Sequence, residues 1–250
     1  MPSTKVLKFG ASSIGKIGSY VIGFVPPFSA TDITDCVLWL NNTSSSMTLS
    51  GSNKVSEWRD LSGLNHHFTQ ATGANQPTFV AGGINGQNGV QFSNSVNQTL
   101  DTTFSTTYSQ NFEIFTVWNL DSNSTQSTPI VYDRISFSGN RVLLYWASNN
   151  VQIGSPTLTT AYAKTRPFDL INTNVLYSGA STKIYENGVL KNTLNTGTNG
   201  LTTMRLGNAE LVATNTRLSG YICEIIIYSR ELTNDERSTV NTYLATKYGL

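Results

Sequence analysis

Only one stretch of this 250-residue chain, 233–248, carries a clear helical pattern, and the apolar residues before it fall mostly in short runs of strand-like period. A chain so patterned does not alternate β and α units; its sheets must cover one another. Strands are predicted at 37–40, 54–58, 89–92, 112–118, 128–133, 140–146, 175–178, 182–186, 189–193, 205–207 and 218–228. Turn signals punctuate them at Asp60–Gly63, Gly82-Gly83 and Asn85-Gly86. Asn187-Gly188 is the sharpest, because both residues tolerate the positive φ of a two-residue hairpin. Residues 112–118 are apolar on both faces, which predicts a central strand. Strict alternation in 218–228 predicts Ile222, Ile226 and Tyr228 on one face and Cys223, Ile225 and Ile227 on the other.

The terminal helix is marked at both ends. Thr233 with Glu236 three residues on forms a capping box, Asp235 and Glu236 suit the first turn, and Gly249 follows as a stop. Val240, Tyr243, Leu244 and Tyr248 give it one apolar stripe to lay against a sheet.

Charged residues make up 12% of the chain, about half the usual share, and the formal net charge is +1. Asn, Thr, Ser and Gln supply the polar surface instead, which offers neutral hydrogen-bond partners and no clustered basic face for nucleic acid. No run reaches the roughly 20 apolar residues of a membrane helix, and the start lacks the continuous apolar core of a secretion signal. Cys36 and Cys223 lie in apolar runs and read as buried free thiols, with a disulfide between first and last strands as the alternative. Residues 1–32 read as an N-terminal arm laid against its own domain or, by preference, against a neighbouring subunit, with Val6, Leu7, Phe9, Ile14, Ile17 and Tyr20 as the expected assembly contacts. Residues 33–250 read as one domain.

Several segments, in order, carry a resemblance. They are Cys36-Val-Leu-Trp-Leu40, Val55-Ser-Glu-Trp-Arg-Asp-Leu-Ser-Gly63, Gln76-Pro77, Gly89-Val-Gln-Phe92, Ile184-Tyr-Glu-Asn-Gly-Val-Leu190 and the closing run from Leu218 through Arg230-Glu-Leu232. Over about residues 33–250 the chain resembles the concanavalin A-like, laminin G-like jelly-roll superfamily, in the subgroup found in phage structural and bacterial surface proteins. The resemblance implies an all-β, two-sheet antiparallel jelly-roll sandwich with a short C-terminal helix. That superfamily hosts lectins, glycanases, adhesion modules and structural domains, so function rests on the residues.

Glycoside hydrolysis needs two carboxyl groups about 5–9.5 Å apart. Glu113 and Glu224 stand alone in apolar strands; Glu224 reads as a capped or paired structural carboxylate, with an internal acid as the alternative, and Glu231 as a turn acid beside Arg230. His66 and His67, the only histidines, are adjacent on the chain and read as surface residues that share no metal. No nucleotide-binding glycine fingerprint opens a helix. No cofactor is expected. Calcium at loop acids is the one cation to consider, with Asp60, Asp121 and Asp133 as weak candidates, and Asp60 reads first as a turn-holder. Sugar binding asks for an aromatic face with amides and hydroxyls around it. Tyr132, Tyr145, Trp146, Asn149 and Asn150 are the candidates, and their other reading is core aromatics with a turn behind them.

The expectation is therefore a non-enzymatic protein. The resemblance, the neutral face and the apolar arm favour a bacteriophage virion structural or decoration protein, in capsid or tail. Its arm would meet other virion proteins, and it would become extracellular after host lysis. The alternatives are a carbohydrate-binding or host-adhesion module touching a cell-surface glycan, and a glycoside hydrolase.

Overall fold

The fold was analysed in a computed structural model that describes residues 15–17, 20–22, 27–122, 127–132, 142–155, 158–165, 167–208 and 217–250. A small antiparallel hairpin joins β1 (Gly15–Ile17) to β2 (Tyr20–Ile22). The main body opens with β3 (Cys36–Leu40), β4 (Met47–Ser50), β5 (Lys54–Trp58), β6 (Phe68–Thr69), β7 (Thr78–Ile84) and β8 (Gln87–Phe92). It continues with β9 (Leu100–Tyr108), β10 (Phe112–Leu120), β11 (Ser127–Tyr132), β12 (Leu143–Ala147), β13 (Asn150–Gly154) and β14 (Leu158–Ala163). It closes with β15 (Ile171–Tyr177), β16 (Thr182–Glu186), β17 (Val189–Leu194), β18 (Leu201–Leu206), β19 (Gly220–Tyr228) and helix α1 (Asn234–Tyr248).

Every pairing is antiparallel, and the strands form two layers. The front sheet runs β17-β16-β15-β10-β19; β19 then pairs with β3 along its C-terminal half and with β8 along its N-terminal half, and β8 pairs in turn with β7. The back sheet runs β4-β5-β6-β9-β18-β11-β12-β13-β14. The expected all-β, two-sheet antiparallel sandwich with a short C-terminal helix is the observed fold. β10 is buried along its whole length, as a strand paired on both sides and covered on both faces must be. Its Ile114 and Trp118 join the core between the sheets, while Phe115 and Val117 join a second apolar cluster beneath α1.

The closing strand departs from simple alternation. Opposite β10, Val117 faces Glu224 and Trp118 faces Ile222, so Cys223 is an extra residue at a β-bulge. The bulge reverses the phase. Ile222, Ile225 and Ile227 point into the sandwich, and Cys223, Ile226 and Tyr228 lie under the helix, not in the two sets that strict alternation gives. The thiols are free. Cys36 pairs with Tyr228, five positions along β19 from Cys223. At about 3.3 Å per residue that is roughly 16 Å, beyond the reach of a disulfide.

Helix α1 is capped as its sequence predicts. Thr233 Oγ1 accepts from the Glu236 N–H, the Glu236 carboxylate accepts from the Thr233 N–H at 2.8 Å, and Gly249 takes the left-handed conformation at φ 71°. Val240, Leu244 and Tyr248 are buried against the front sheet, and Phe28 stacks on Tyr243 with ring centroids 4.2 Å apart. None of the helices is long and apolar enough to cross a membrane, among the described residues.

Candidate functional site

The acids of the front sheet are structural. The Glu224 carboxylate, turned toward α1 by the bulge, accepts from Trp39 Nε1 (2.8 Å), the Tyr243 hydroxyl (2.9 Å), the Tyr248 hydroxyl (2.7 Å) and Lys247 Nζ (2.6 Å). Burial, and then the neighbouring Glu224 charge, push both tyrosine hydroxyls well above their ordinary value. Glu113 takes a two-pronged contact from Arg237 and a hydrogen bond from the Leu232 N–H. Four donors on one carboxylate and three on the other leave neither able to serve as a general acid or nucleophile.

Above these pairs lies a cleft of about 380 Å³ between α1 and the β16–β17 hairpin. Tyr185, Asn187, Gly188, Arg237, Ser238 and Asn241 are among its walls. The hairpin closes through the positive-φ pair Asn187-Gly188 (49° and 79°), as the Asn-Gly signal predicts. Buried Asn172 on β15 then orders the cleft. Its backbone N–H donates to Asn187 Oδ1 and its Nδ2 donates to Asn241 Oδ1, both at 2.8 Å. With both amide oxygens engaged from below, the two Nδ2 groups remain as N–H donors at the cleft. Tyr185 is half-buried, and the Arg237 guanidinium sits 5.3 Å from its ring centroid. Because Glu113 compensates Arg237, the cleft presents amides, hydroxyls and one aromatic ring without an unbalanced charge.

The residues singled out from sequence are scattered elsewhere. Tyr145 and Asn150 lie on the outer face of the back sheet, where Tyr145 pairs with Gln152 across to β13, and Asn149 forms the turn between β12 and β13 at φ 61°. Trp146 does not join them. It is 2% exposed in the core, and its indole N–H donates to the Lys164 carbonyl, so its ring offers no face to a sugar. Tyr132 ends β11, but its side chain lies outside the described residues, as do Asp133, Val6, Leu7, Phe9 and Ile14; Ile17 and Tyr20 are described only as backbone of β1 and β2. Asp60 is a turn-holder, its carboxylate accepting from the backbone N–H groups of Trp39, Ser62 and His66 and from the Ser62 hydroxyl. Asp121 accepts from the Ser219 hydroxyl at 3.0 Å. Among the described residues no cluster of three or more His, Cys, Asp or Glu could hold a metal.

The histidines are not both at the surface. His66 is 3% exposed, set against Phe104, and held between the Val37 carbonyl and the Ser105 N–H. A carbonyl can only accept and an N–H can only donate, so the proton sits on Nδ1. Sequence reasoning missed Tyr185, Asn187 and Asn241 as a group. Their one legible signal, Asn187-Gly188, was accounted for by the turn.

No family model matches the chain, and no curated protein matches it. Solved structures share the fold. Domain 4 of an extracellular arabinanase from Geobacillus stearothermophilus, in complex with arabinotriose, superposes with TM-score 0.59 at 14% identity over 83% of this chain and 98% of that domain. The binding domain of botulinum neurotoxin DC, in complex with rat synaptotagmin II, gives TM-score 0.61 at 14% identity over 86% of this chain and 52% of its own. A Trypanosoma rangeli sialidase in complex with sialic acid gives TM-score 0.53 at 12% identity over 86% of this chain. The present chain spans only 33% of that sialidase's length. At such identities the likeness establishes the two-sheet β-sandwich fold alone. It also corrects the expectation of a phage virion protein: the matched folds belong to a sialidase, an arabinanase domain and toxin binding domains, not to capsid or tail proteins.

Proposed function

We propose that this domain is a non-catalytic carbohydrate-binding or adhesion module, of the concanavalin A-like, laminin G-like kind, that takes a neutral sugar in the cleft between α1 and the β16–β17 hairpin. The observation that carries this reading is the pair of amide donors, Asn187 Nδ2 and Asn241 Nδ2, set by one buried asparagine beside the ring of Tyr185. Sugar hydroxyl oxygens accept from such amides, and the apolar side of a pyranose or furanose stacks on a tyrosine. Ser238 and Thr242 at the rim add hydroxyls that can donate or accept. The arabinotriose in the matched arabinanase domain is consistent with a saccharide ligand on this architecture.

Screening the protein on an array of neutral oligosaccharides, followed by calorimetry on the best binder, tests the reading. Asn241→Leu and Tyr185→Ala are expected to abolish or cut that affinity by about tenfold or more, the loss of one or two good contacts. A chelator is expected to leave binding unchanged. Absence of any neutral glycan ligand, or release of reducing sugar by the wild-type protein, would overturn it.

A further inference from the structure

A second cleft opens at the opposite edge of the front sheet, where the first residue of β5, from the back sheet, pairs with β7. It encloses about 360 Å³ and is lined by Lys54, Thr78, Gln91, Ser93, Asp121 and Ser219 among others. The register explains why these residues share a face. Lys54 pairs with Thr78, and Thr78 with Gln91, in one cross-strand row; Val55, Phe79 and Val90 beside them point into the core. Ser219 and Asp121 continue the face where β19 begins and β10 ends. In strand order β16-β15-β10-β19-β8-β7, Thr78 of this cleft and Tyr185 of the first stand five strand spacings apart along the sheet, roughly 24 Å.

The chemistry of the second cleft differs from the first. The Lys54 ammonium donates to the Thr78 hydroxyl at 3.1 Å and forms no ion pair with a described carboxylate. Asp121 lies four strand spacings away along the sheet, roughly 19 Å and beyond a Debye length at physiological salt, so its charge is not paired with the lysine. Gln91 makes no hydrogen bond through its side chain among the described residues and stands half-buried in the row between them. One end of the cleft therefore calls for an anion, the middle for a group that both donates and accepts, and the far end for a hydroxyl donor.

We infer that this cleft is a second saccharide site, and that its ligand carries a carboxylate: a uronic or sialic type of sugar, with the carboxylate on Lys54, ring hydroxyls on Gln91 and a hydroxyl of an adjoining sugar unit toward Asp121. The site does not rest on the neutral-sugar reading of the α1 cleft, with which it shares no residue. The contact at Lys54 is a charge-assisted hydrogen bond in a partly open cleft, so it is strong at low salt and screened at high salt.

The test compares trigalacturonate with its methyl ester, and sialyllactose with lactose, by calorimetry on the full chain at low and high salt. At least one acidic probe is expected to bind about tenfold or more tightly than its uncharged counterpart, and to lose most of that margin in Lys54→Met, which keeps the stem and removes the charge. Gln91→Ala is expected to weaken the same probe, while Asn241→Leu leaves it unchanged. Circular dichroism on each variant separates loss of ligand from loss of fold. Equal affinity for charged and uncharged forms, retention of the acidic preference in Lys54→Met, or no binding of either acid overturns the inference. None of these outcomes bears on the neutral cleft, whose own failure would be read on the neutral array.

Discussion

Arg237 and Glu113 meet edge to edge, Nε to Oε1 at 2.6 Å and Nη2 to Oε2 at 3.1 Å, across the seam between α1 and the central strand of the front sheet. Both side chains are almost wholly buried, at 7% and 0% exposure. The same guanidinium donates to the Leu232 carbonyl and to Asn234 Oδ1 and leans over Tyr185. The pair that fastens the helix is thus also the floor of the neutral cleft. Removing one partner strands a buried charge, and Arg237→Ala is expected to cost about 3–5 kcal/mol by urea unfolding. Replacing both, as Arg237→Met with Glu113→Leu, is expected to recover much of that stability while the cleft stays weakened. Additive losses in the double variant would show that the two residues do not act as a pair.

Trp146 separates packing from recognition. Its side chain fills the core between the sheets and its N–H is satisfied internally. Trp146→Ala is expected to lower the unfolding free energy by about 3–5 kcal/mol and to leave saccharide affinity of the folded fraction unchanged. A normal melting curve with lost sugar binding would place the ligand at β12 instead of at α1.

Much of this fold is legible in the sequence, and the exceptions have physical causes. Capping residues and apolar stripe gave α1 to within a residue, because both cap and stripe are local signals. β9 escapes notice because Thr and Ser occupy most of its positions, so that only Leu100 and Phe104 mark its buried side, and β14 because it is short and only Ala161 marks its buried side. The inverted faces of β19 follow from one extra residue whose effect depends on the neighbouring strand, which no pattern within 218–228 encodes. Glu224 could be read as a capped or paired carboxylate because an isolated carboxylate in an apolar strand must find donors; which donors required the helix to be placed. The cleft itself draws on 185–188 and 234–245. Neither segment alone departs from a polar hairpin tip and a solvated helix face.

Acid sensitivity at the helix start follows from Glu236. Its carboxylate accepts from Arg230 at 2.7 and 2.9 Å and from the cap residue, contacts that hold its pKa down from 4.5 to about 2. A group depressed on folding stabilises the protein above its unfolded value and loses that contribution as pH falls through its folded one. The affected window therefore runs from about pH 4.5 down to about 2. The carboxylate is partly solvent-exposed, so the contribution is modest and salt-screened. Glu236→Gln keeps the capping geometry and removes the charge; its stability is expected to vary less with pH across this window than that of the wild type. An unchanged pH slope would assign the acid response to other carboxylates.

The two thiols report on the opposite end of the scale. Burial pushes Cys36 and Cys223 up from 9.0 to about 12, with the Asp60 charge adding to the first and the Glu224 charge to the second. A thiol whose pKa rises on folding favours the folded state below its unfolded value and withdraws that support as pH climbs from about 9 toward 12. Since the thiolate is the reactive form, a disulfide-exchange reagent at pH 8 is expected to label neither cysteine in the native protein and both after denaturation. The two need not open together. Cys36 is partly accessible at the start of β3, whereas Cys223 is fully enclosed beneath α1, opposite Gly89, where an added Cβ would come within 3.0 Å of its sulfur. Labelling under mild denaturant should therefore reach Cys36 first and Cys223 only when the helix leaves the sheet. Arg237→Ala should bring Cys223 labelling forward, because it loosens the element that covers that thiol, and simultaneous labelling of both cysteines in that variant would argue against separate opening of α1.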